Sequence, residues 1–244
     1  TQGYSSAASD VYKRQIYNKA VENGDAEYIP GLFQGVFTGV ESKRKKSLSL
    51  ENQHKLMTVK VESEVLRETQ LVVCLLFQYA GMSFVDFAHL KERNIKNGIL
   101  DYNRQKTGTP MRLEILDTAE LMRKELMGDK KPASGYLFPF LSGTKTGYEA
   151  YLEYNAALSR FNRNLKALKK AAGIASDVTS YTIRHSFAMA LKEQNVPIEM
   201  ISELLGHKSI KTTQIYLRSF SLEKMTEVNS TCFGCVYNYV SKVG

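Results

Sequence analysis

From Leu48 onward, apolar residues recur mostly at three- and four-residue intervals, the spacing that lines one face of an α-helix. Ser63 stands where it can cap a helix that carries Val65, Val72, Leu76 and Tyr79 on one side and ends near Gly81. Inside it, Leu71 to Phe77 is the longest apolar run. It is well short of the roughly 18 residues that a membrane span needs and suits a buried helix segment. Ser83-Phe84-Val85-Asp86 reads as a capping box that opens a short helix through Leu90. From Ile99 to Ile115 the pattern changes period. ILDYNRQ and MRLEI flank Lys106-Thr107-Gly108-Thr109-Pro110, and the stretch reads as a β-hairpin. Asp117 opens a further helix that Gly128 closes. Gly135 to Gly147 is a loop, and a long helix follows with Leu158, Phe161, Leu165, Leu168 and Ala172 on one face. Ile183, Phe187 and Leu191 form the next stripe. Pro197 then takes a first-turn position ahead of Ile198, Ile201 and Leu205, and Gly206 ends that helix. Lys211 to Leu217 is a short segment that displays Tyr216.

The ends of the chain are less regular. Ile16 to Gly24 reads as the end of a helix, Gly31 to Gly39 is turn-rich, and Lys43-Arg44-Lys45-Lys46 is a basic run. Asp10-Val11-Tyr12-Lys13-Arg14-Gln15 is what a transposon-end adapter used in DNA library preparation encodes in one frame. Residues 1–15 are therefore expected to be a non-native leader on a truncated chain. No internal repeat is visible.

Composition narrows the class. With 244 residues there is room for one large or two small domains. The net charge of +8 and pI of about 9.2 suit a polyanionic partner, although many proteins are mildly basic. Three cysteines, Cys74, Cys232 and Cys235, make no disulfide framework, which points to a reducing cytoplasm. Cys232-x-x-Cys235 has no second pair, and a zinc site wants about four ligands. No metal and no cofactor are expected.

Four stretches carry candidate chemistry: Gly81-Met82-Ser83-Phe84-Val85-Asp86, Arg104-Gln105-Lys106-Thr107-Gly108, Arg184-His185-Ser186-Phe187-Ala188, and Leu204-Leu205-Gly206-His207 with Tyr216 trailing nine residues later. In this order and spacing they resemble the catalytic domain of tyrosine recombinases, the phage-integrase family, over about Leu48 to Leu222. The resemblance to the mobile-element subgroup implies a mainly α fold with a small antiparallel β-sheet (α+β). It also implies site-specific strand exchange on double-stranded DNA through a 3′-phosphotyrosyl intermediate. Such chemistry needs cations and donors around phosphorus and a proton route from the phenol.

By that resemblance Tyr216 is the nucleophile, which with an ordinary pKa of about 10 needs help at neutral pH. Arg184 is the phosphate clamp, suited by its planar fork. His207 is a donor or proton relay, and Lys106 is the hairpin lysine that protonates the leaving 5′ oxygen. Tyr181 stands where the family has the first histidine of His-x-x-Arg-His. Asp86 matches the acidic residue that buttresses the arginines, and His185 reads as structural. Each residue also has a plain alternative: a surface ion pair for Arg184, a helix-terminal histidine for His207, a core phenol for Tyr216 and a solvated turn lysine for Lys106.

The departure is the first arginine. In one family pattern its slot is Ser83; in the mobile-element pattern, Arg-Gly-Met-x-Phe-x-Asp, it is Ala80. Losing one preorganised donor costs on the order of 10²–10³ in rate. The expectation is a recombinase that binds DNA and cleaves poorly. Arg104, Lys43, Arg44, Lys45, Lys46, Arg163 and Lys166 are the expected phosphate contacts, with a solvated linker and helix face as the plain alternative. The expected organisation is a leader (1–15), the last helix of a core-binding domain plus basic linker (16–47), the catalytic domain (48–222) and a tail (223–244). The tail docks either on its own domain or on a neighbouring protomer; tetramers on DNA, and no membrane, follow from the resemblance. Three rivals remain: a degenerate remnant that only binds DNA, a type IB topoisomerase, and a helix-turn-helix regulator.

Overall fold

The apolar run predicted to be buried forms the centre of the fold. In the computed structural model it lies within α3 (Glu64–Gln78), where every residue from Thr69 to Leu76 is buried. The structure describes residues 7–30, 32, 47–130, 132, 135–217, 225–226 and 229–231, without the side chains of 7–12, 215 and 216. Two units separate, Thr1–Lys45 and Lys46–Gly244. In the first, α1 (Ala7–Asn23) runs through Asp10–Gln15 unbroken and stops before Gly24, whose φ is 80°. The Tyr17 hydroxyl donates to Glu27 O and accepts from Ile29 N, which folds the following strand of chain back. The basic run Lys43, Arg44, Lys45, Lys46 lies outside the described residues.

In the second unit, α2 (Leu50–Thr58) is capped by Ser49, which accepts from Asn52 N. Gln70 of α3 donates to Val59 O at 2.8 Å and so closes the α2 end onto the core. One expectation fails at the start of α3. Val65 is 53 % exposed, because the helix enters the core only from its second turn. Ser63 is the N-cap residue, but its side chain makes no capping bond. The helix ends in two successive left-handed residues, Ala80 (φ 55°) and Gly81 (φ 63°). Met82 N returns to Leu76 O at 2.9 Å, which satisfies a terminal carbonyl and reverses the chain.

Then come α4 (Phe84–Ala88), a 3-10 turn at Glu92–Asn94, and a three-stranded antiparallel sheet of β1 (Ile95–Lys96), β2 (Ile99–Asn103) and β3 (Pro110–Glu114) in the order β1-β2-β3. The predicted hairpin is β2–β3, in the register Leu100↔Leu113 and Tyr102↔Met111. Gly108, at φ 65°, donates its N–H to Arg104 O and closes the turn. After it, α5 (Asp117–Met127) ends at Gly128, and α6 (Gly147–Ala171) presents Ala157, Phe161, Leu165 and Leu168 inward. Phe161 stacks on Phe84 with ring centroids 4.7 Å apart, and Phe87 stacks on Phe138 at 4.1 Å, which fixes α4 against α6 and the loop. Helix α7 (Ser180–Glu193) opens with a capping box between Thr179 and Thr182.

Pro197 is the N-cap of α8 (Ile198–Leu204) rather than its first turn. Helix α9 (Ile210–Tyr216) follows. Ala188, Ile201 and Leu205 form a second, smaller core at this end. This is a mainly α fold with one small antiparallel sheet. Among the described residues no helix is long and apolar enough to cross a membrane.

Candidate active site

The reversal after α3 sets up the centre of the site. With Ala80 and Gly81 both left-handed, the Gly81 carbonyl accepts from Arg184 Nη1 at 2.8 Å. A side chain at Gly81 would strike Phe187 Cδ1 at 2.8 Å, so α7 rides directly on this turn. Arg184 is 3 % exposed although it carries a charge. Its Nη2 donates to Leu205 O at the end of α8 and lies 3.5 Å from His207 Nε2. His207 Nδ1 is 2.9 Å from Thr213 Oγ1, in α9. Arg184 and His207 thus meet, and the histidine is tied to the helix that carries Tyr216 one turn further on. Tyr216 belongs to α9, and its side chain lies outside the described residues.

Around this pair the hairpin and α4 are joined by buried polar contacts. Asp86, 1 % exposed, accepts from Ser83 Oγ at 2.5 Å and from Gln105 N at 2.7 Å. Its Oδ2 lies 3.5 Å from Arg104 Nε. Arg104 Nη1 donates to Leu205 O at 3.1 Å and Gly206 O at 3.0 Å. Lys106, two residues on, is exposed in the turn. Tyr102 is buried beside this group. Desolvation chiefly, and the Asp86 charge next, push its phenol above the usual range against the opposing pull of Arg184 and Arg104.

Several predicted residues therefore come together: Arg184 and His207 in contact, Asp86 facing Arg104, and Lys106 on the hairpin whose Arg104 shares the Leu205 carbonyl with Arg184. Ala80 is 5 % exposed and directly precedes Gly81, whose carbonyl accepts from Arg184. Ser83, the other slot, spends its hydroxyl on Asp86. Tyr181, at 44 % exposure, lies on the open side of α7, and His185 is fully buried, as a structural residue should be. Arg163 and Lys166 are exposed on α6.

Arg104 needs correction. It was expected to touch phosphate, yet it is 8 % exposed and its donors face Asp86 and two carbonyls. Strand alternation contained the signal: Leu100, Tyr102 and Arg104 share the inward face, with Asp101 and Asn103 outward. Thr213 was missed, and only its place in the turn before Tyr216 hinted at it. Cys232 and Cys235 lie outside the described residues. Among the described residues no three His, Cys, Asp or Glu are grouped to hold a metal.

The comparisons with known proteins bear on family and fold. The model of the phage integrase family matches residues 46–223, well over half of the chain. The chain belongs to that family. Tyrosine recombinase XerA of Pyrococcus furiosus is 32 % identical over 177 residues, 71 % of this chain and 57 % of that protein. Tyrosine recombinase XerD of Lacticaseibacillus casei is 52 % identical over 54 residues, 22 % of this chain and 18 % of that protein. The chain thus spans well under two thirds of the curated relatives it matches. Among solved structures, the Tn1549 transposon integrase in complex with a circular intermediate DNA superposes with a TM-score of 0.68 at 15 % identity, covering 94 % of this chain and 81 % of that one. A lambda integrase tetramer bound to a Holliday junction gives 0.59 at 20 % identity, covering 88 % and 62 %. At such identities the likeness is one of fold.

Proposed function

We propose that this chain is the catalytic part of a site-specific recombinase of a mobile element, working on double-stranded DNA. The observation that carries the reading is the junction of Arg184 Nη2 and His207 Nε2 at 3.5 Å, with His207 held by Thr213 on the helix that bears Tyr216. In this mechanism the Tyr216 oxygen attacks phosphorus as its phenol proton passes to His207, and the bond from phosphorus to the 5′ oxygen breaks. Lys106 gives its proton to that oxygen, leaving a 3′-phosphotyrosyl link and a free 5′ hydroxyl. Arg184 and His207 stabilise the charge that develops on the non-bridging oxygens. Rejoining is the reverse step, so no outside energy source is needed. Exposed Arg163 and Lys166, together with Lys43, Arg44, Lys45 and Lys46, hold the DNA backbone.

Cleavage is weak, because Ala80 supplies no donor beside Arg184. The test is adduct formation on a nicked suicide substrate, read on a denaturing gel. The expected adduct disappears in Tyr216→Phe, and Ala80→Arg forms it at least tenfold faster. Absence of any adduct in both the parent chain and Ala80→Arg would leave the rival reading, a remnant that only binds DNA. The same alanine, together with an Arg184 whose donors already face carbonyls, is what favours that rival.

On DNA, further protomers complete the assembly. An open groove of about 460 Å³ between α7, α8 and α9, lined by Val196, Ile198, Ile201 and Leu217 with Lys192, Asn195 and Gln214 beside them, is a seat for the apolar tail 223–244 of this or a neighbouring protomer.

A further inference from the structure

We propose that Arg104 is a positioning residue: it locks the hairpin that carries Lys106 to the turn that carries His207, so that the proton donor and the phosphate-binding histidine move as one body. The catalytic consequence rests on the recombinase reading above; the mechanical link does not. Three observations carry it. Arg104 Nη1 donates to both Leu205 O and Gly206 O, the last two carbonyls before His207. Its Nε faces the buried Asp86 carboxylate, which in turn accepts Gln105 N from the hairpin and Ser83 Oγ from α4. Gly206 has no room for a side chain, since a Cβ there would meet Met111 Sδ of β3 and lie 2.8 Å from Arg104 Cδ. The α8 terminus therefore rests on the hairpin at van der Waals contact, and the guanidinium spans the seam.

The arrangement also relates Arg104 to the arginine of the proposed clamp. Leu205 O accepts from both Arg104 and Arg184, so one carbonyl sets both guanidinium groups. What sets Arg104 apart from Arg184 is the buried Asp86 carboxylate facing its Nε, an internal counter-charge that suits it to fixing geometry rather than to gripping a phosphate. Small misplacements matter in such a site: a shift of about 1 Å in a catalytic group costs on the order of 10²-fold in rate.

Two measurements on the full chain test this. The first is amide hydrogen exchange, which reads local opening without reference to activity. In Arg104→Met, the His207 amide, which donates to Ser202 O, and the Gly108 amide, which donates to Arg104 O, are expected to exchange at least tenfold faster, with α3 and α6 unchanged. Unchanged exchange at either amide overturns the link. The second is adduct formation on a nicked site whose 5′ bridging oxygen is replaced by sulfur. There the bond from phosphorus to sulfur breaks and a thiolate departs without needing a proton. Arg104→Met and Lys106→Ala should both be slowed on the oxygen substrate, and both should recover most of the loss on the sulfur substrate. An equal loss for Arg104→Met on both substrates would mean that the guanidinium does not act through Lys106, and would overturn its positioning of the proton donor. Should Arg104→Met unfold as a whole, Arg104→Lys keeps a cation opposite Asp86, loses the two carbonyl bonds, and carries the same readouts. If the parent chain forms no adduct on either substrate, the recombinase reading has failed, and the exchange result alone decides whether the link exists.

Discussion

Tyr79 closes α3 with its ring buried and its hydroxyl without a hydrogen-bond partner among the described residues. Burial pushes this phenol up to about 12 from its ordinary value of 10.0, with a smaller lowering by Arg123 and a smaller raising by Glu120. The folded chain thus holds a proton between pH 10.0 and about 12 that the unfolded chain releases. Stability is unaffected by this group below the lower value and falls as pH rises through that window. Tyr79→Phe is expected to stabilise the fold by about 1 kcal/mol, since an unsatisfied buried hydroxyl is removed, and to flatten the loss of stability in alkali; urea melts at pH 8 and pH 11 check both. Gly206 is a second single-residue constraint. Its φ of 59° and the close approach of Met111 and Arg104 make Gly206→Ala destabilising by about 2 kcal/mol or more, read as a fall in urea midpoint at constant slope.

Among the elements, α9 shows how a short helix is aimed. Seven residues cannot hold a helix by propensity alone, so α9 depends on tertiary contacts. Thr213, fully buried, supplies one by facing His207 Nδ1 at 2.9 Å. Thr213→Val keeps the shape and removes that bond. It should cost about 1 kcal/mol in stability and, if Tyr216 is the nucleophile, slow adduct formation without weakening DNA binding. A fall in affinity with an unchanged cleavage rate would contradict that assignment. The β2–β3 hairpin was legible because its period of two is interrupted by Lys106-Thr107-Gly108, and α6 because its stripe repeats over many turns. The end of α3 was less so. Nothing in Tyr79-Ala80-Gly81 announces two left-handed residues in a row, since alanine disfavours that conformation.

For the whole molecule the governing quantity is charge. A net +8 gives non-specific attraction to a polyanion, and α6 offers Arg163 and Lys166 on its exposed side. If these touch phosphates, replacing both with alanine should reduce the slope of log affinity against log salt concentration by about two, roughly one per lost contact. Fluorescence anisotropy on a labelled duplex measures it, and an unchanged slope would return that face to the role of a solvated surface. Arg104→Ala should leave the slope as it is, because a guanidinium bonded to Asp86 and two carbonyls has no phosphate to release.

By itself the amino-acid order determined the helices, the hairpin, their succession and the identity of the residues suited to phosphate chemistry. Those follow from local periodicity, turn residues and side-chain type, all of which act over a few positions. Which residues meet was decided only in three dimensions. Arg184 finds Gly81 and Leu205, and Arg104 turns inward to Asp86 and the α8 terminus, because buried donors and acceptors must be satisfied by whatever the packing brings near. A lone basic residue in a sequence reads the same whether it grips a ligand or braces a fold; for Arg104 the buried carboxylate that packing sets against it makes the difference.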